Sequence, residues 1–457
     1  MIKQFRFLPA LFFLILPFIT TAQTALSDKI GQMIMVNFSG TTVPDTLAAD
    51  LSQRNLGGVL FLGANISGPV QIATLVSSIK GLALTPPFIA IDQEGGRVAR
   101  MGKNNGYEST PTHYRLGTIV NREDTTRFWA AKMAGWLKAA GINVNFAPVV
   151  DVNVNPQSPA IGALSRSFSG SPDTVARHAG YFISEFKSKK IATALKHFPG
   201  HGSATTDSHN GFTDVTQTWA DSELNPYRTL INTGYDGMVM TGHLFNSNWD
   251  NTYPASLSPY VTTTLLRDSL GFQGVVVTDE LFMQAITNEF TIDTAIVLAV
   301  KAGADILLFN RNIYEERSLV QRVIDLIEAK VQSGEISEAR IDQSYNRIMN
   351  LKNSVISDVK YETASGDEVT PVNYGLRNYP NPFNPSTRLE ISIPEAGDIR
   401  LIVYNETGEE LMTVYQGWAD PGNHSYELNL QNYPSGVYFV RLSSGITNKM
   451  LKTVLLR

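Results

Sequence analysis

Eight short apolar, β-prone runs recur between residues 27 and about 351, separated by longer amphipathic stretches. They cover residues 33–36, 58–62, 88–91, 144–150, 192–195, 237–240, 274–277 and 305–309. Most lack polar alternation, as strands buried on both faces should. Between them lie stretches with helical patterning, such as 125–140, 172–189 and 319–331. Strands alternating with helices argue for a parallel sheet with crossover helices. Eight such units fit an α/β closed barrel, the (β/α)8 or TIM barrel. The rival is an open doubly wound sheet, but no glycine-rich dinucleotide fingerprint follows the first run. Polar residues follow most runs: Asp92, Asp151, Lys196-His197, Thr241 with His243, Asp279 and Asn310. In a barrel these positions converge on one face, where active sites occur.

The patterning changes towards the C-terminus. An amphipathic helix is expected over 335–351, ending a barrel domain of residues 24–353, and a polar linker over 354–374. Asn378-Tyr379-Pro380-Asn381-Pro382-Phe383-Asn384-Pro385 cannot be helical. Short alternating runs follow at 387–393, 399–404, 410–415, 424–430, 436–442 and 450–456, with turn signals such as Pro421-Gly422 between them. This predicts a small all-β, immunoglobulin-like sandwich over 375–457. At the other end, Lys3 and Arg6 precede an apolar stretch over 8–19 and a small-residue site near Thr20-Thr21-Ala22-Gln23. Residues 1–23 read as a cleaved secretory signal peptide. Broken by Pro9 and Pro17, the apolar stretch is too short to span a bilayer, and no transmembrane segment is expected in the mature chain.

Composition narrows the function classes. Of the 457 residues, 43% are apolar and 17% charged, which suits a sizeable core and not disorder. The net charge of −5 supplies no basic excess for a polyanion, so nucleic acid is not an expected partner. With no cysteine, disulfides, thiolate nucleophiles and cysteine-ligated metals are excluded.

The densest polar cluster is Lys196-His197-Phe198-Pro199-Gly200-His201-Gly202, followed by Asp207-Ser208-His209. Pro199, Gly200 and Gly202 make it a shaped loop. One reading is a metal site, because His197 and His201 mimic a helical zinc pair, although Pro199 and Gly200 break that helix. The other needs no metal: Asp207 holds one imidazole nitrogen of His209 and leaves the other for proton transfer. His201 and His243 read as structural. Asp279, directly after an apolar strand, sits at the barrel mouth, though an acidic helix start alone can be a cap. Asp92 has the same placement, and the neighbouring Gly95-Gly96 pair suggests a close backbone approach.

These segments resemble glycoside hydrolase family 3, and within it the single-barrel β-N-acetylglucosaminidases. The resemblance rests on Asp92-Gln93-Glu94-Gly95-Gly96-Arg97-Val98, Asn145-Phe146-Ala147-Pro148-Val149-Val150-Asp151, Arg166-Ser167-Phe168, the Lys196 to His209 cluster, Val239-Met240-Thr241-Gly242-His243 and Val277-Thr278-Asp279. It implies a retaining exo-β-N-acetylglucosaminidase without a cofactor or metal, with Asp279 as nucleophile and His209, tuned by Asp207, as acid/base. It also implies that Asp92, Arg100, Arg166, Lys196 and His197 grip hydroxyls of the terminal N-acetylglucosamine. The stretch between Asp151 and Arg166 is slightly longer than the family's compact arrangement.

The tail, through its Asn-Pro-Phe-Asn-Pro opening, Val403-Tyr404-Asn405-Glu406-Thr407-Gly408 and Tyr433-Pro434-Ser435-Gly436-Val437-Tyr438, resembles the C-terminal sorting domains of type IX secretion cargo. That implies secretion machinery as a partner, and a secreted or cell-surface protein exported through the periplasm. Its substrates would be chitin oligomers, glycans or peptidoglycan fragments. Two other functions stay open: a phosphorylase acting on the same sugar, and a non-catalytic glycan-binding surface protein. A metal-dependent hydrolase is a further rival.

Overall fold

A computed structural model describes residues 24–356, 374–379, 381–445 and 447–456. The expected signal peptide, and the linker from 357 to 373, lie outside the described residues. The chain divides into two compact units, up to Asp358 and from Val359.

The first unit is a parallel barrel. Its strands are β1 (Ile34–Val36), β2 (Gly58–Phe61), β3 (Phe88–Ile91), β4 (Val144–Asn145), β5 (Ala192–Phe198), β6 (Met238–Thr241), β7 (Val275–Thr278) and β8 (Leu307–Phe309). The sheet runs β8-β1-β2-β3-β4-β5-β6-β7. A parallel bridge between Val277 and Ile306 joins the two ends, and the Asp305 and Ile306 N–H groups donate to Val276 O. Every residue of these strands is buried, which is why the runs read as continuously apolar. Burying each Val, Ile or Leu contributes roughly 1.5–3 kcal/mol.

Two strands differ from the sequence reading. The fourth run was expected over 144–150. The regular strand is only Val144–Asn145; beyond it single hydrogen bonds continue, Phe146 N–H to Ile91 O and Ala194 N–H to Ala147 O, and around Pro148, which has no N–H to donate, contact with β5 is an isolated Val149–Lys196 bridge. Conversely, β5 runs to Phe198 with an irregular register after Leu195, so Lys196 and His197 lie within the strand and not after it.

The helices clothe the barrel for local reasons. Pro172–Ser188 begins with the Ser171 hydroxyl accepting the Thr174 N–H, and Pro172 occupies the first turn, where it loses no hydrogen bond. It buries Val175, Ala179, Phe182 and Phe186, one face at helical spacing. Ile292–Ala302 is capped by Thr291 and ends at Gly303. There φ is +118°, and a Cβ would lie 2.9 Å from Thr263 Oγ1, so only glycine fits. The final helix, Glu338–Ile356, starts later and ends later than expected, taking in three residues read as linker.

The second unit has seven strands: β9 (Gly375–Tyr379), β10 (Ser386–Ile393), β11 (Gly397–Tyr404), β12 (Glu410–Ala419), β13 (Gly422–Asn429), β14 (Gly436–Ser444) and β15 (Thr447–Leu455). They form antiparallel sheets β9-β10-β13 and β12-β11-β14-β15 around their own core, including Leu389, Ile391, Leu401, Val403, Val440 and Leu455. Six strands match expected runs. β9 was missed because its sequence runs into the proline-rich opening; pairing with β10 from Gly375 opposite Ser392 makes it a strand. In that opening, Asn381 Nδ2 donates to Lys452 O and Asn381 Oδ1 accepts the Val454 N–H, which ties the Asn-Pro-Phe turn to β15.

Candidate active site

Parallel strands all end on the same side of the barrel, so the polar residue that follows each apolar run is delivered to one face. A cavity of about 520 Å³ lies there. All eight residues singled out from the sequence line it: Asp92, Arg100, Arg166, Lys196, His197, Asp207, His209 and Asp279.

The floor is a buried charge network. Lys196 Nζ lies 2.8 Å from Asp92 Oδ1 and 2.7 Å from Glu94 Oε1. Arg166 grips Glu94 with two bonds, Nε to Oε2 at 2.9 Å and a terminal nitrogen to Oε1 at 2.8 Å. Arg100 donates to Asp92 Oδ2 at 3.2 Å. Burial works against both carboxylates, but Lys196 with Arg100 holds Asp92 below its ordinary range, and Arg166 with Lys196 holds Glu94 well below it. Burial would also neutralise Lys196, yet Asp92 and Glu94 keep it charged.

Asp92 and Arg100 meet because a hairpin folds the chain back. Residues Gln93–Gly95 pair with Val98–Ala99, and Gln93 Oε1 accepts the N–H groups of Arg100 and Met101, each at 2.9 Å. The close approach signalled by the glycine pair is to the chain itself: a Cβ on Gly96 would lie 2.3 Å from Thr112 Cγ2.

His197 is oriented by Asp151. The carboxylate accepts the His197 N–H at 3.0 Å and lies 2.8 Å from Nδ1, which therefore carries the proton and leaves Nε2 as the acceptor, 3.4 Å from an Arg166 nitrogen. Asp151 also accepts the His201 N–H at 2.8 Å.

Asp279 follows β7 and is half-buried. Its N–H donates to Thr241 O, continuing the ladder one residue past the strand, and its Oδ1 accepts the Glu280 N–H at 2.8 Å. Burial opposes the charge; the imidazoles of His243, His197 and His209, together with that N–H, outweigh it and hold the carboxyl at about 2. Asp207 and His209 lie in the irregular loop after β5. Asp207 Oδ1 accepts the backbone N–H of His209 at 3.0 Å and sits 2.8 Å from its Nδ1.

The other two histidines are held by neutral partners. His243 Nε2 donates to Glu280 O at 2.9 Å while Nδ1 meets Ser256 Oγ at 2.7 Å, and burial lowers its pKa. His201 meets Ser208 Oγ at 3.2 Å, and burial takes it down to about 4. Among the described residues no group of three or more His, Asp or Glu is placed to hold a metal ion.

Sequence reasoning gave no role to Glu94, Asp151 or Glu223. Glu94 was quoted in its motif, and its spacing of two from Asp92 was the available signal. Glu223, fully buried, accepts the N–H groups of Gly202 (3.0 Å) and Ser203 (3.3 Å) at the stem of the loop that carries Asp207 and His209. No local pattern marks it.

Residues 25–351 match the family description "Glycosyl hydrolase family 3 N terminal domain". The chain belongs to glycosyl hydrolase family 3. The family 3 unit is followed, over residues 377–456, by a match to "Secretion system C-terminal sorting domain". Among curated relatives, the chain is 33% identical to Beta-hexosaminidase A of Pseudoalteromonas piscicida, over 73% of this chain and 62% of that protein. It is 35% identical to a Beta-hexosaminidase of Nitrosomonas eutropha, over 60% of this chain and 79% of that one. The barrel is similar to a solved family 3 beta-N-acetylglucosaminidase from Paenibacillus sp. at TM-score 0.68 and 36% identity, covering 76% of this chain and 66% of that one. A Beta-N-acetylhexosaminidase from Beutenbergia cavernae matches at TM-score 0.67 and 28% identity, with 73% of this chain and 100% of that one covered. The chain thus spans just under two thirds of the Pseudoalteromonas and Paenibacillus proteins.

Proposed function

We propose that the family 3 barrel is a retaining exo-β-N-acetylglucosaminidase that hydrolyses terminal β-linked N-acetylglucosamine. The observation that carries this reading is a single cavity lined by the Asp279 carboxylate, the Asp207–His209 pair and a floor of paired Asp, Glu, Lys and Arg side chains. The floor offers fixed, charged hydrogen-bond groups suited to sugar hydroxyls, with Asp92, Arg100, Arg166, Lys196 and His197 as the gripping residues. Asp279, ionised at any pH above its value of about 2, attacks the anomeric carbon. His209, its Nδ1 held by Asp207, gives the proton of Nε2 to the departing glycosidic oxygen. The resulting glycosyl-enzyme is hydrolysed by water, with His209 now taking the proton, and configuration is retained. The names of the hexosaminidase relatives support the sugar specificity.

The sorting-domain match supports export by type IX secretion to the cell surface or the medium, with secretion machinery as partner of the sandwich. Residues 1–23 would act as a cleaved signal peptide on that route. Purified protein is expected to release p-nitrophenol from p-nitrophenyl N-acetyl-β-glucosaminide, and Asp279→Ala to release none. Equal release by the variant removes the assignment.

A further inference from the structure

The loop that carries Asp207 and His209 is open along most of its length. Among the described residues 205–212 only Ser208 is buried, at 2% exposure, while the His209 side chain next to it is 60% exposed. A loop held at one interior point has its neighbours at that point fixed most firmly, so the anchoring of Ser208 sets where Asp207 and His209 stand.

Ser208 is tied to two separate parts of the site. Its hydroxyl meets His201 Nε2 at 3.2 Å, and its carbonyl accepts the Ala285 N–H at 3.3 Å. Ala285 belongs to the short helix Gln284–Thr287, which follows the Asp279 segment. His201 lies in the turn after β5, where its backbone N–H donates to Asp151, the carboxylate that also orients His197. Ser208 thus joins the loop to the His197 side of the cavity and to the segment beyond Asp279.

The ring of His201 has one hydrogen bond, the one to Ser208. Its Nδ1 is buried without a partner among the described residues, and His201 does not line the cavity. A buried imidazole with an orphaned nitrogen is costly to keep, and holding the loop gives it a purpose. Burial takes the ring down to about 4, so it stays neutral, and the contact unaltered, at every pH well above that value.

We propose that Ser208, latched by His201, is a positioning residue that holds His209 within reach of the leaving oxygen. The proposal rests on the glycosidase reading of the cavity and adds the means by which an exposed loop delivers its acid/base. Ser208 is not among the residues lining the cavity, so it acts through its two neighbours in the chain. Proton transfer needs heavy atoms about 2.6–3.2 Å apart, and a misplacement of about 1 Å costs about 10²-fold. Loss of the hydroxyl with the backbone bond to Ala285 retained corresponds to about tenfold.

The test uses the full-length protein and two substrates with the same terminal sugar. A chitin disaccharide needs its leaving oxygen protonated, and p-nitrophenyl N-acetyl-β-glucosaminide does not. Ser208→Ala is expected to lower kcat/KM about tenfold on the disaccharide and by less than about twofold on the p-nitrophenyl substrate, with Tm unchanged. His201→Phe, which keeps a buried ring and removes both nitrogens, is expected to show the same leaving-group-dependent loss, and the double variant no further loss. No loss in Ser208→Ala, or equal losses on the two substrates, overturns the proposal. Losses that multiply in the double variant show that the two residues act separately, and also overturn it. Absence of turnover by the unmodified protein on both substrates removes the glycosidase reading itself, an outcome distinct from the others.

Discussion

Asp207 holds His209 at two points, the backbone N–H at 3.0 Å and ring Nδ1 at 2.8 Å, both on the same carboxylate oxygen. The hold fixes the tautomer and leaves Nε2 without a protein partner among the described residues. Burial works against the Asp207 charge, but the hydrogen bonds from His209 keep its pKa below the ordinary value.

An acid/base pair of this kind contributes about 10²–10⁴-fold. Asp207→Asn is expected to lower kcat within that range on a chitin disaccharide. With a p-nitrophenyl substrate the loss in kcat/KM should be smaller, because nitrophenolate leaves without protonation. Steady-state kinetics on both substrates checks this, and equal losses on the two contradict it.

Asp279 should be the labelled residue when a fluorinated slow glycosyl donor is turned over and the protein is digested and sequenced by mass spectrometry. With its carboxyl at about 2, it stays ionised across the working range. The acid limb of kcat/KM must then belong to another group, and the same limb should persist in the residual activity of Asp279→Glu. A label on a different carboxylate would refute the assignment.

Glu94 neutralises two cations at the floor, so Glu94→Gln leaves Lys196 and Arg166 with excess buried charge. Breaking one partner of such a buried set costs about 3–5 kcal/mol. Thermal unfolding should show a clear fall in Tm, and KM should rise as the two cations lose their orientation. An unchanged KM would show that the network does not position the sugar.

Glu223 gives a pH-dependent stability term. Burial raises its carboxyl from 4.5 to about 7, only partly offset by the Ser203 hydroxyl and the Ala220 and Gly202 N–H groups. The folded state therefore keeps a proton that the unfolded chain releases between pH 4.5 and 7. The contribution is fully present below pH 4.5 and is lost as pH rises through 7. Its size is on the order of 3 kcal/mol. Glu223→Gln, which cannot ionise, should be more stable than the unmodified protein at pH 8 and show a flatter Tm between pH 5 and 8. Parallel Tm curves for the two proteins would contradict this.

Several features were readable before any coordinates. Eight largely apolar runs alternating with helical stretches argued for a parallel sheet buried on both faces, and in a closed barrel the residue after each run reaches the barrel mouth. That alone placed Asp92 and Asp279 at the cavity. The extent of β4 and β5 was not readable, because a run of apolar letters does not show where Pro148 interrupts pairing or where two polar residues stay in the ladder. β9 escaped for the opposite reason: it has no apolar alternation of its own and becomes a strand only by pairing with β10.

By itself, then, the sequence determined the barrel, the sandwich and the face on which chemistry-bearing residues gather, because hydrophobic periodicity is a local property. Tertiary structure alone decided who neutralises whom. Asp92 meets Lys196 across 104 positions, Glu94 meets Arg166 across 72, and Asp151 orients His197 across 46. Such pairings depend on distances of a few ångström between groups far apart along the chain, and no local pattern encodes them.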